Sequence, residues 1–290
     1  MPVLTPEQVR FYHREGYLLV EDIFDGTEVA ELNRVTDSYI ERSREIAASD
    51  SLFDLAPHHT AERPVVRRIK NPVALDKVYA SAARKERLLD IVECLVGPGV
   101  RFDHSKMNIK TKGGQAAIDW HQDWAFYPHT NDDLLAVGLY LGDCTLENGP
   151  LMVIPGSHRG PVFDHHHEGQ FVGSCSAGEL RTLPEDAVPL PGRAGSITIH
   201  HVRTLHGSLE NRLSRDRRLL LLCYMALDAW PLASAGSFDL AEFDGRILRG
   251  EPTLQPRQEA LPVRSPLPRI PDSDSIFADQ ESVAGRSFAT

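Results

Sequence analysis

Two histidines and one aspartate have the residue types and the spacing of a metal-binding set. His121 and Asp123 stand two residues apart, so in an extended segment their side chains can point to one side of the backbone. His206 would complete one face of an octahedron if a distant strand brought it alongside. Such a set holds non-haem Fe(II) and leaves the opposite face open for a chelating co-substrate and O₂. The pattern is weak evidence on its own, because the chain contains 13 histidines.

Other histidines are alternatives to His206. His200 has the strand parity of His206, and His201 is its neighbour, but only His206 is followed by Gly207-Ser208. The run of three histidines, His165-His166-His167, predicts a solvated loop rather than a metal site. We therefore expect the second imidazole to come from His206.

An arginine near the same pocket has the chemistry of a carboxylate anchor. Arg217 lies eleven residues beyond His206, where a following strand could return it to the metal. A guanidinium binds a carboxylate through two parallel hydrogen bonds and does not lose its proton. The alternative is an exposed strand end that forms surface salt bridges, and Arg215 and Arg218 are rival candidates.

The first third of the chain has a helical pattern that one short strand interrupts. A capping box with proline at the first helical position marks the first helix, and apolar residues recur at helical spacing in the next two. The pattern predicts a helix from Thr5 to about Arg14, a strand at Gly16–Val20, a helix from Asp25 that reaches Tyr39-Ile40, a helix over about 82–96 and an irregular stretch at 47–66.

After Gly99 the pattern changes to short apolar runs separated by Gly, Pro, Asn and Asp, which is typical of strands. Helices first and strands afterwards predict an α+β chain whose strands close into a sandwich or barrel, with helices on one outer face. The predicted strands are Val100–Lys110, Leu134–Leu141, Leu151–Pro155, Gly195–His200 and Arg217–Leu227.

We expect the whole chain to form one domain. Residues 1–98 would be a mainly helical flank, and 99–230 would be the strand-rich core. Within the core, 160–193 is rich in Gly, His and Pro and too long for an ordinary connection, which predicts a lid. Residues 231–290 would form an extension that is proline-rich from 251 and that wraps the body or is partly disordered.

Composition argues against several classes of partner. The 290 residues are 41% hydrophobic and 25% charged, as in an ordinary large globular domain. The net charge of -10 argues against nucleic acid, and no apolar run approaches the roughly 20 residues that span a bilayer. The first residues lack the features of a secretory signal, and the four cysteines lack Cys-x-x-Cys spacing, which predicts free thiols in a reducing cytoplasm. We expect a cytoplasmic protein that acts on a small molecule and has no obligate protein partner.

Four motifs that stand in a fixed order resemble one known family, the phytanoyl-CoA dioxygenase family of Fe(II)/2-oxoglutarate oxygenases. The similarity covers roughly residues 5–230 and extends to ectoine hydroxylase. The resemblance implies a double-stranded β-helix (jelly-roll, cupin-like) core. It also implies that Arg217 and Ser208 bind the distal carboxylate of 2-oxoglutarate. The motifs are His121-Gln122-Asp123, Glu147-Asn148-Gly149-Pro150-Leu151, Ile154-Pro155-Gly156-Ser157-His158 and His206-Gly207-Ser208 with Arg217.

The strand before the metal motif has polar residues on one face. In the ectoine hydroxylase branch the corresponding positions read Gln-x-Arg-x-Asn and line the pocket, whereas this chain has His104 and Lys106 in place of the glutamine and the arginine. The resemblance implies that Asn108 and Lys106 bind 2-oxoglutarate and that His104 faces the substrate. Trp124 and Tyr127 match positions that line the substrate cavity. The alternatives are a solvent-exposed face for the strand and core packing for the two aromatic residues.

The sequence therefore predicts an Fe(II)- and 2-oxoglutarate-dependent dioxygenase, with O₂ as the second co-substrate. We expect it to hydroxylate an unactivated C–H bond of a small-molecule metabolite and to release succinate and CO₂. Halogenation is disfavoured because Asp123 occupies the position that a halide would need. Desaturation, epoxidation and ring closure remain open. The alternatives from other classes are a catalytically silent protein that binds 2-oxoglutarate or another ligand, and a cupin-like metal isomerase.

Overall fold

The α-helices lie mainly in the first third of the chain, as predicted. A computed structural model describes residues 3–111, 117–175, 180, 186–232, 238–265, 267 and 280. The helices of this part are α1 (Pro6–Glu15), α2 (Gly26–Arg42), α3 (Pro72–Leu75), α4 (Lys77–Ala83), α5 (Glu86–Val96) and α6 (Leu240–Gly245). None of them is long and apolar enough to cross a membrane.

The ends of these helices follow from local sequence. Capping boxes close the starts of α1 and α2 at Thr5 and Asp25, where a side-chain oxygen accepts a backbone N–H that has no partner within the helix. The third predicted helix was expected from about residue 82 and begins later, at Glu86. The reason is that the backbone leaves helical geometry at Lys85, which separates α4 from α5.

Most strands form one antiparallel sheet, which we call the major sheet. Its order is β1-β11-β6-β13-β4-β3-β2, and β14 also pairs with β4. The strands are β1 (Tyr17–Val20), β2 (Phe53–Leu55), β3 (Val66–Lys70), β4 (Val100–Lys110), β6 (Leu134–Tyr140), β11 (Ile197–His201), β13 (Arg217–Met225) and β14 (Ile247–Arg249).

A second antiparallel sheet, the minor sheet, has the order β10-β7-β12-β5. Its strands are short, and two further strands form a separate hairpin. The minor sheet comprises β5 (Ile118–His121), β7 (Leu151–Val153), β10 (Val188–Leu190) and β12 (His206–Ser208), and the hairpin comprises β8 (His166–His167) and β9 (Gln170–Phe171).

The five strands that the sequence predicted after Gly99 are confirmed to within two residues at each end. The expectation of an irregular stretch over 47–66 is wrong in part, because β2 forms there and pairs with β3. Strand β3 reads Val66-Arg67-Arg68-Ile69-Lys70, and its three cations hide its strand character in the sequence. Of the predicted lid, residues 176–179 and 181–185 lie outside the described part.

The two faces of the major sheet have different chemistry. One face packs on the helices and carries buried apolar side chains such as Val137, Ile199 and Leu220, in one core cluster with α1, α2 and α5. The register of the antiparallel pairs then assigns the alternate residues to the opposite face, which meets the minor sheet. That inner face carries His200, Arg217, Lys106, Asn108, Lys110 and Arg68.

The described part of the C-terminal extension lies against the body. Arg257 donates to Asp228 at 3.0 Å, and the indole Nε1 of Trp124 donates to the carbonyl oxygen of Pro262 at 2.8 Å. Further along, Gln280 is 3% exposed. The extension therefore contacts the body at these positions, while its residues 233–237, 266, 268–279 and 281–290 lie outside the described part.

Candidate metal centre and its pocket

Strands β5 and β12 place two imidazoles side by side. His206 and His121 are Cα partners in this antiparallel pair, and residues directly opposite each other point to the same side of a sheet. Their ring centroids are 4.1 Å apart. Asp123 follows in a 3₁₀ turn, Asp123–Ala125, which brings its carboxylate to the rings. One ligand atom from each of the three residues lies within 4.8 Å of the others.

Backbone carbonyl groups fix the tautomer of both rings. The Nδ1–H of His121 donates to the carbonyl oxygen of Asp119 at 2.8 Å, and that of His206 donates to Thr204 at 2.9 Å. The unprotonated Nε2 atoms therefore face Asp123, and each lies 4.0 Å from one of its oxygens. A metal-binding histidine is commonly oriented by a hydrogen bond from its other nitrogen.

The electrostatics of the three side chains suit a cation. Burial lowers the pKa values of His121 and His206, and it keeps both imidazoles neutral. Burial alone would raise the pKa of Asp123, but the hydrogen bond from His200 and the positive charges around it hold that pKa well below its usual value. Two neutral imidazoles and one ionised carboxylate are the donors that Fe(II) takes in proteins, so these residues fit the metal.

His200 and His201 differ in their relation to this centre. The Nε2–H of His200 donates to Asp123 Oδ2 at 3.3 Å, and its ring centroid is 4.2 Å from that of His206. His201 lies on the other side of the sheet, where its Nε2 is 3.9 Å from Asp132. His200 is thus placed to orient the carboxylate, a role that the sequence did not reveal because the two residues are far apart in the chain.

Arg217 and Lys110 form a buried basic pair at one end of the pocket. They are Cα partners in β13 and β4, and they are 2% and 1% exposed. Arg217 donates to the carbonyl oxygen of Gly149 from Nε at 3.1 Å and from Nη2 at 2.6 Å. Lys110 donates to the carbonyl oxygens of Ser208, at 3.2 Å, and Leu209.

No carboxylate of the described residues lies within ion-pair distance of either cation in this pair. Burial lowers the pKa of Lys110 well below its usual value, and the charge of Arg217 adds to the effect. Of the rival arginines, Arg215 is exposed, and Arg218 contacts Asp37 at 2.6 Å. The sequence analysis did not include Lys110 among the candidate site residues. Its alternation with Lys106 and Asn108 along the strand nevertheless indicated that it shares their face.

The remaining predicted residues of β4 line the same inner face. Asn108 is buried, and its Oδ1 accepts from Arg68 Nε at 2.9 Å. Lys106 is half-buried, and its positive charge adds to burial in lowering the pKa of His121 and to His200 and His206 in lowering that of Asp123. Arg68 belongs to strand β3, which the sequence did not predict, and it is therefore a further residue that lines the pocket.

The residues expected to face the substrate lie at different depths. His104 Nδ1 donates to Asp103 at 2.8 Å, and its ring meets that of Tyr127 edge-on at a centroid distance of 5.1 Å. Burial raises the pKa of the Tyr127 hydroxyl, and the charge of Asp123 adds to the effect. Trp124 is 1% exposed and packs in the main core, and its indole N–H contacts Pro262 of the extension.

The expectation of a solvated loop at His165-His166-His167 is wrong for its first residue. His165 is 1% exposed. Its Nε2 accepts from the backbone N–H of Gln122 at 2.9 Å, directly between His121 and Asp123 of the His-x-Asp motif. Burial lowers its pKa to about 4, and the neutral ring can accept that hydrogen bond. His167 is exposed, as predicted.

The two antiparallel sheets face each other and enclose two histidines and a carboxylate. This arrangement indicates a protein with a mononuclear metal centre. Sequence comparison gives the family. The model of the phytanoyl-CoA dioxygenase (PhyH) family matches residues 12–219, and the chain belongs to this family.

Named relatives and a solved structure resemble the chain over most of its length. It is 34% identical over 286 residues to a probable alpha-ketoglutarate-dependent hypophosphite dioxygenase of Stutzerimonas stutzeri, which covers 97% of this chain and 99% of that protein. It is 29% identical to an ectoine dioxygenase of Sphingopyxis alaskensis, over 77% of this chain and 76% of that protein. The crystal structure of EctD from S. alaskensis with bound Fe superposes with a TM-score of 0.68 and 26% identity, over 88% of this chain and 87% of that one.

Proposed function

We propose that the protein is an Fe(II)- and 2-oxoglutarate-dependent dioxygenase that hydroxylates an unactivated C–H bond of a small-molecule metabolite. The observation that carries the proposal is the convergence of His121, His206 and Asp123, with both Nε2 atoms and the carboxylate turned to one point. The net reaction consumes substrate, 2-oxoglutarate and O₂. One oxygen atom enters the product alcohol, the other enters succinate, and CO₂ is released.

The metal would be held by these three side chains. Bound Fe(II) supplies the activation of O₂, which no protein side chain can provide. The chain's own part is to keep both imidazoles in the tautomer that exposes Nε2, through Asp119 and Thr204, and to keep Asp123 ionised, through His200. These contacts hold the three side chains in one arrangement, which limits the reorganisation that binding requires.

2-Oxoglutarate would lie with its distal carboxylate at Arg217 and Ser208. Both side chains are buried, and a buried cation with no carboxylate of the described residues at hand favours an anionic ligand. Lys110 would hold the turn after Ser208 through its two carbonyl contacts. Because Asn108 Oδ1 accepts from Arg68, its amide NH₂ group remains for an oxygen of the ligand.

We extend the proposal to the architecture and the location. The strands of the two facing sheets that lie within 99–230 would form the double-stranded β-helix core, with 1–98 as its flank and 231–290 as its extension, all one domain, and β1, β2, β3 and β14 would extend the major sheet from outside this range. Support comes from the single large core cluster, which includes residues from Leu4 to Phe243. The described residues of the predicted lid, 160–175, 180 and 186–193, would limit the contact of the metal with water. The four free thiols support a cytoplasmic location.

Succinate formation tests the proposal. Purified protein with Fe(II), ascorbate and 2-oxoglutarate should form succinate, and formation should rise when the right metabolite is added. His206→Ala and Asp123→Ala should each abolish it, because two donors cannot hold the metal in the same way. His58→Ala, at an exposed histidine far from the motif in sequence, is the matched control and should keep full activity. Wild-type activity in either triad variant would remove the assignment.

A further inference from the structure

A second cavity lies on the helix side of the major sheet, outside the metal pocket. Its volume is about 270 Å³, near the lower end of the range for pockets that bind small molecules. His200 and His201 point to opposite faces of β11, so that His200 faces Asp123 while His201 lines this cavity. The wall comes from α1, from α5 and from the turns before β6 and after β11, and it includes Tyr12, Leu95, Val96, Asp132, Asp133 and Arg203.

Two neighbouring carboxylates of this wall each have one oxygen atom that is not engaged. Asp132 and Asp133 directly precede β6. Oδ2 of Asp132 accepts from Arg203 Nη1 at 2.9 Å, and Oδ2 of Asp133 accepts from Arg257. The Oδ1 atom of each has no hydrogen bond to any residue that the structure describes. Both carboxylates can therefore accept from a further donor.

The hydroxyl of Tyr12 supplies a third oxygen to the cavity. Tyr12 is 2% exposed, and its hydroxyl has no hydrogen-bond partner within the described part of the chain. Buried hydroxyl groups in proteins are normally hydrogen-bonded. Burial raises the pKa of Tyr12 well above its usual value, and the charges of Asp133 and Asp132 add to the effect. The hydroxyl therefore lies near both carboxylates.

The basic groups of the wall leave room for a positively charged ligand. Arg203 is paired, since one Nη group donates to Asp132 and the other to a backbone carbonyl oxygen at 2.7 Å. Arg159 is exposed, and solvent screens its charge. Burial lowers the pKa of His158, and it lowers the pKa of His201 to about 3. Both imidazoles are therefore neutral at neutral pH and do not repel a cation.

An apolar part of the wall lies at the end of a helix. Leu95 and Val96 are buried, and α5 ends at Val96. The carboxyl end of a helix carries partial negative charge, which favours a cation nearby. An alkyl chain can pack on these two side chains, which bury its apolar surface. The cavity thus combines an apolar wall with acceptor oxygens, as an organic cation requires.

We propose that this cavity is a second binding site, which takes a small primary alkylammonium ion through Asp132 Oδ1, Asp133 Oδ1 and the hydroxyl oxygen of Tyr12. An ammonium group has three donors and no acceptor, which matches three acceptor oxygens. The alkyl part packs on Leu95 and Val96. Because the cavity lies outside the metal pocket, the proposal does not depend on the proposed function.

Calorimetric titration with three ligands of matched length tests the charge that the cavity prefers. The full chain is titrated with butylammonium chloride, butan-1-ol and sodium butyrate, which have four carbon atoms each and differ in charge. Butylammonium should bind, and the alcohol and the carboxylate should bind more weakly by about tenfold or more. Absence of butylammonium binding, or binding of either other ligand with equal affinity, would overturn the proposal.

Variants of the wall locate the bound cation. Tyr12→Phe removes one oxygen and should weaken butylammonium binding by about two- to tenfold. Asp132→Asn should weaken it by on the order of tenfold or more, because hydrogen bonds to charged groups are the stronger ones. Tyr17→Phe and Asp22→Asn, at residues outside the cavity, are the matched controls and should bind as the wild type does. Thermal unfolding of each variant checks that it is folded.

A change in the metal pocket separates the two sites. His206→Ala should keep the wild-type affinity for butylammonium, because His206 lies among the candidate metal ligands and outside this cavity. Loss of binding in His206→Ala, with unchanged binding in Tyr12→Phe and Asp132→Asn, would place the ammonium ion in the metal pocket and overturn the proposal. A wild-type protein that binds butylammonium but forms no succinate would refute the proposed function and leave the second site in place.

Discussion

Strand β4 carries cations at both ends of the pocket, and the two ends hold them in different ways. At one end, Lys110 and its partner Arg217 are buried, and both donate to backbone carbonyl groups. At the other end, the Lys106 ammonium and His104 Nε2 have no such acceptor among the described residues. Backbone acceptors fix a cation in place before a ligand arrives, whereas a cation without an acceptor gains its full stabilisation only when an anion binds.

The first end is a preorganised pair, and a constant co-substrate favours a preorganised site. At the second end the chain departs from the Gln-x-Arg-x-Asn pattern of the ectoine hydroxylase branch, by having His104 and Lys106. Substitutions at the two ends should therefore have separable effects on 2-oxoglutarate binding.

The largest effect is expected at the preorganised end. Arg217→Ala should raise the 2-oxoglutarate concentration needed for half-maximal succinate formation by about 30-fold to several thousand-fold. The reason is that loss of one partner of a buried, hydrogen-bonded charge pair costs about 2–5 kcal/mol. Fe(II) affinity, measured by anaerobic titration, should remain close to that of the wild type because Arg217 is not a metal ligand.

Arg215→Ala is the control for Arg217→Ala, since Arg215 is exposed two residues earlier. It should leave the 2-oxoglutarate requirement unchanged. If Arg215→Ala raised the 2-oxoglutarate requirement and Arg217→Ala did not, Arg217 would not be the anchor. The difference that we describe between the two ends of β4 would then be wrong.

The second prediction concerns stability and pH at the His104 end. The pKa of His104 is raised from 6.5 to about 10, so the folded state holds its proton more tightly than the unfolded chain does. This contribution is fully present below pH 6.5 and is lost as the pH rises towards 10. Wild-type protein should therefore lose on the order of 1–3 kcal/mol of unfolding free energy over this window relative to His104→Gln.

Urea denaturation at pH 6, 8 and 10 measures the difference between the two proteins. Cys223 and Asp103 favour the charged ring, Asp103 also by accepting a hydrogen bond from Nδ1, whereas Lys106 opposes the charge. His129 and Arg246 act on the Asp103 carboxylate as well. His58→Gln, at an exposed histidine, should follow the wild type at every pH. A parallel loss of stability in the wild type and in His104→Gln would show that the ring is not an imidazolium at neutral pH.

The sequence predicted the local features of this pocket better than its long-range ones. Strand β4 was predicted with its observed limits because it alternates in a period of two and follows Gly97-Pro98-Gly99. Strand β3 was missed because Arg67, Arg68 and Lys70 hide its pattern. Arg68 and Lys70 are compensated by Asp54 on β2 and Asn108 on β4, and local sequence carries no sign of these contacts.

The three candidate metal ligands show the same difference between local features, which the sequence predicted, and long-range contacts, which it did not. The spacing of His121 and Asp123 and the Gly-Ser after His206 were sufficient to choose three residues that the fold brings together. The contact between His200 and Asp123 could not be predicted, because it depends on the fact that β11 of the major sheet faces the turn after β5. The burial of His165 depends in the same way on Gln122, 43 residues away.

The smallest effect is expected from the C-terminal extension, which supports the preorganised part of the site from outside. Gln280 Oε1 accepts from the backbone N–H of Asp119 at 3.0 Å, and its Nε2 donates to the carbonyl oxygen of Gly173 at 2.9 Å. The carbonyl oxygen of Asp119 in turn accepts from His121 Nδ1. Gln280 is thus a positioning residue, because it fixes the strand residue that sets the tautomer of a metal-binding ring.

Gln280→Ala should weaken Fe(II) binding by roughly three- to tenfold, less than the 10- to 100-fold that follows when a direct partner of a metal ligand is lost. Anaerobic titration with Fe(II) measures this, and Gln258→Ala, at an exposed glutamine of the same extension, is the control. Unchanged Fe(II) binding would mean that the Asp119 carbonyl keeps its place without Gln280.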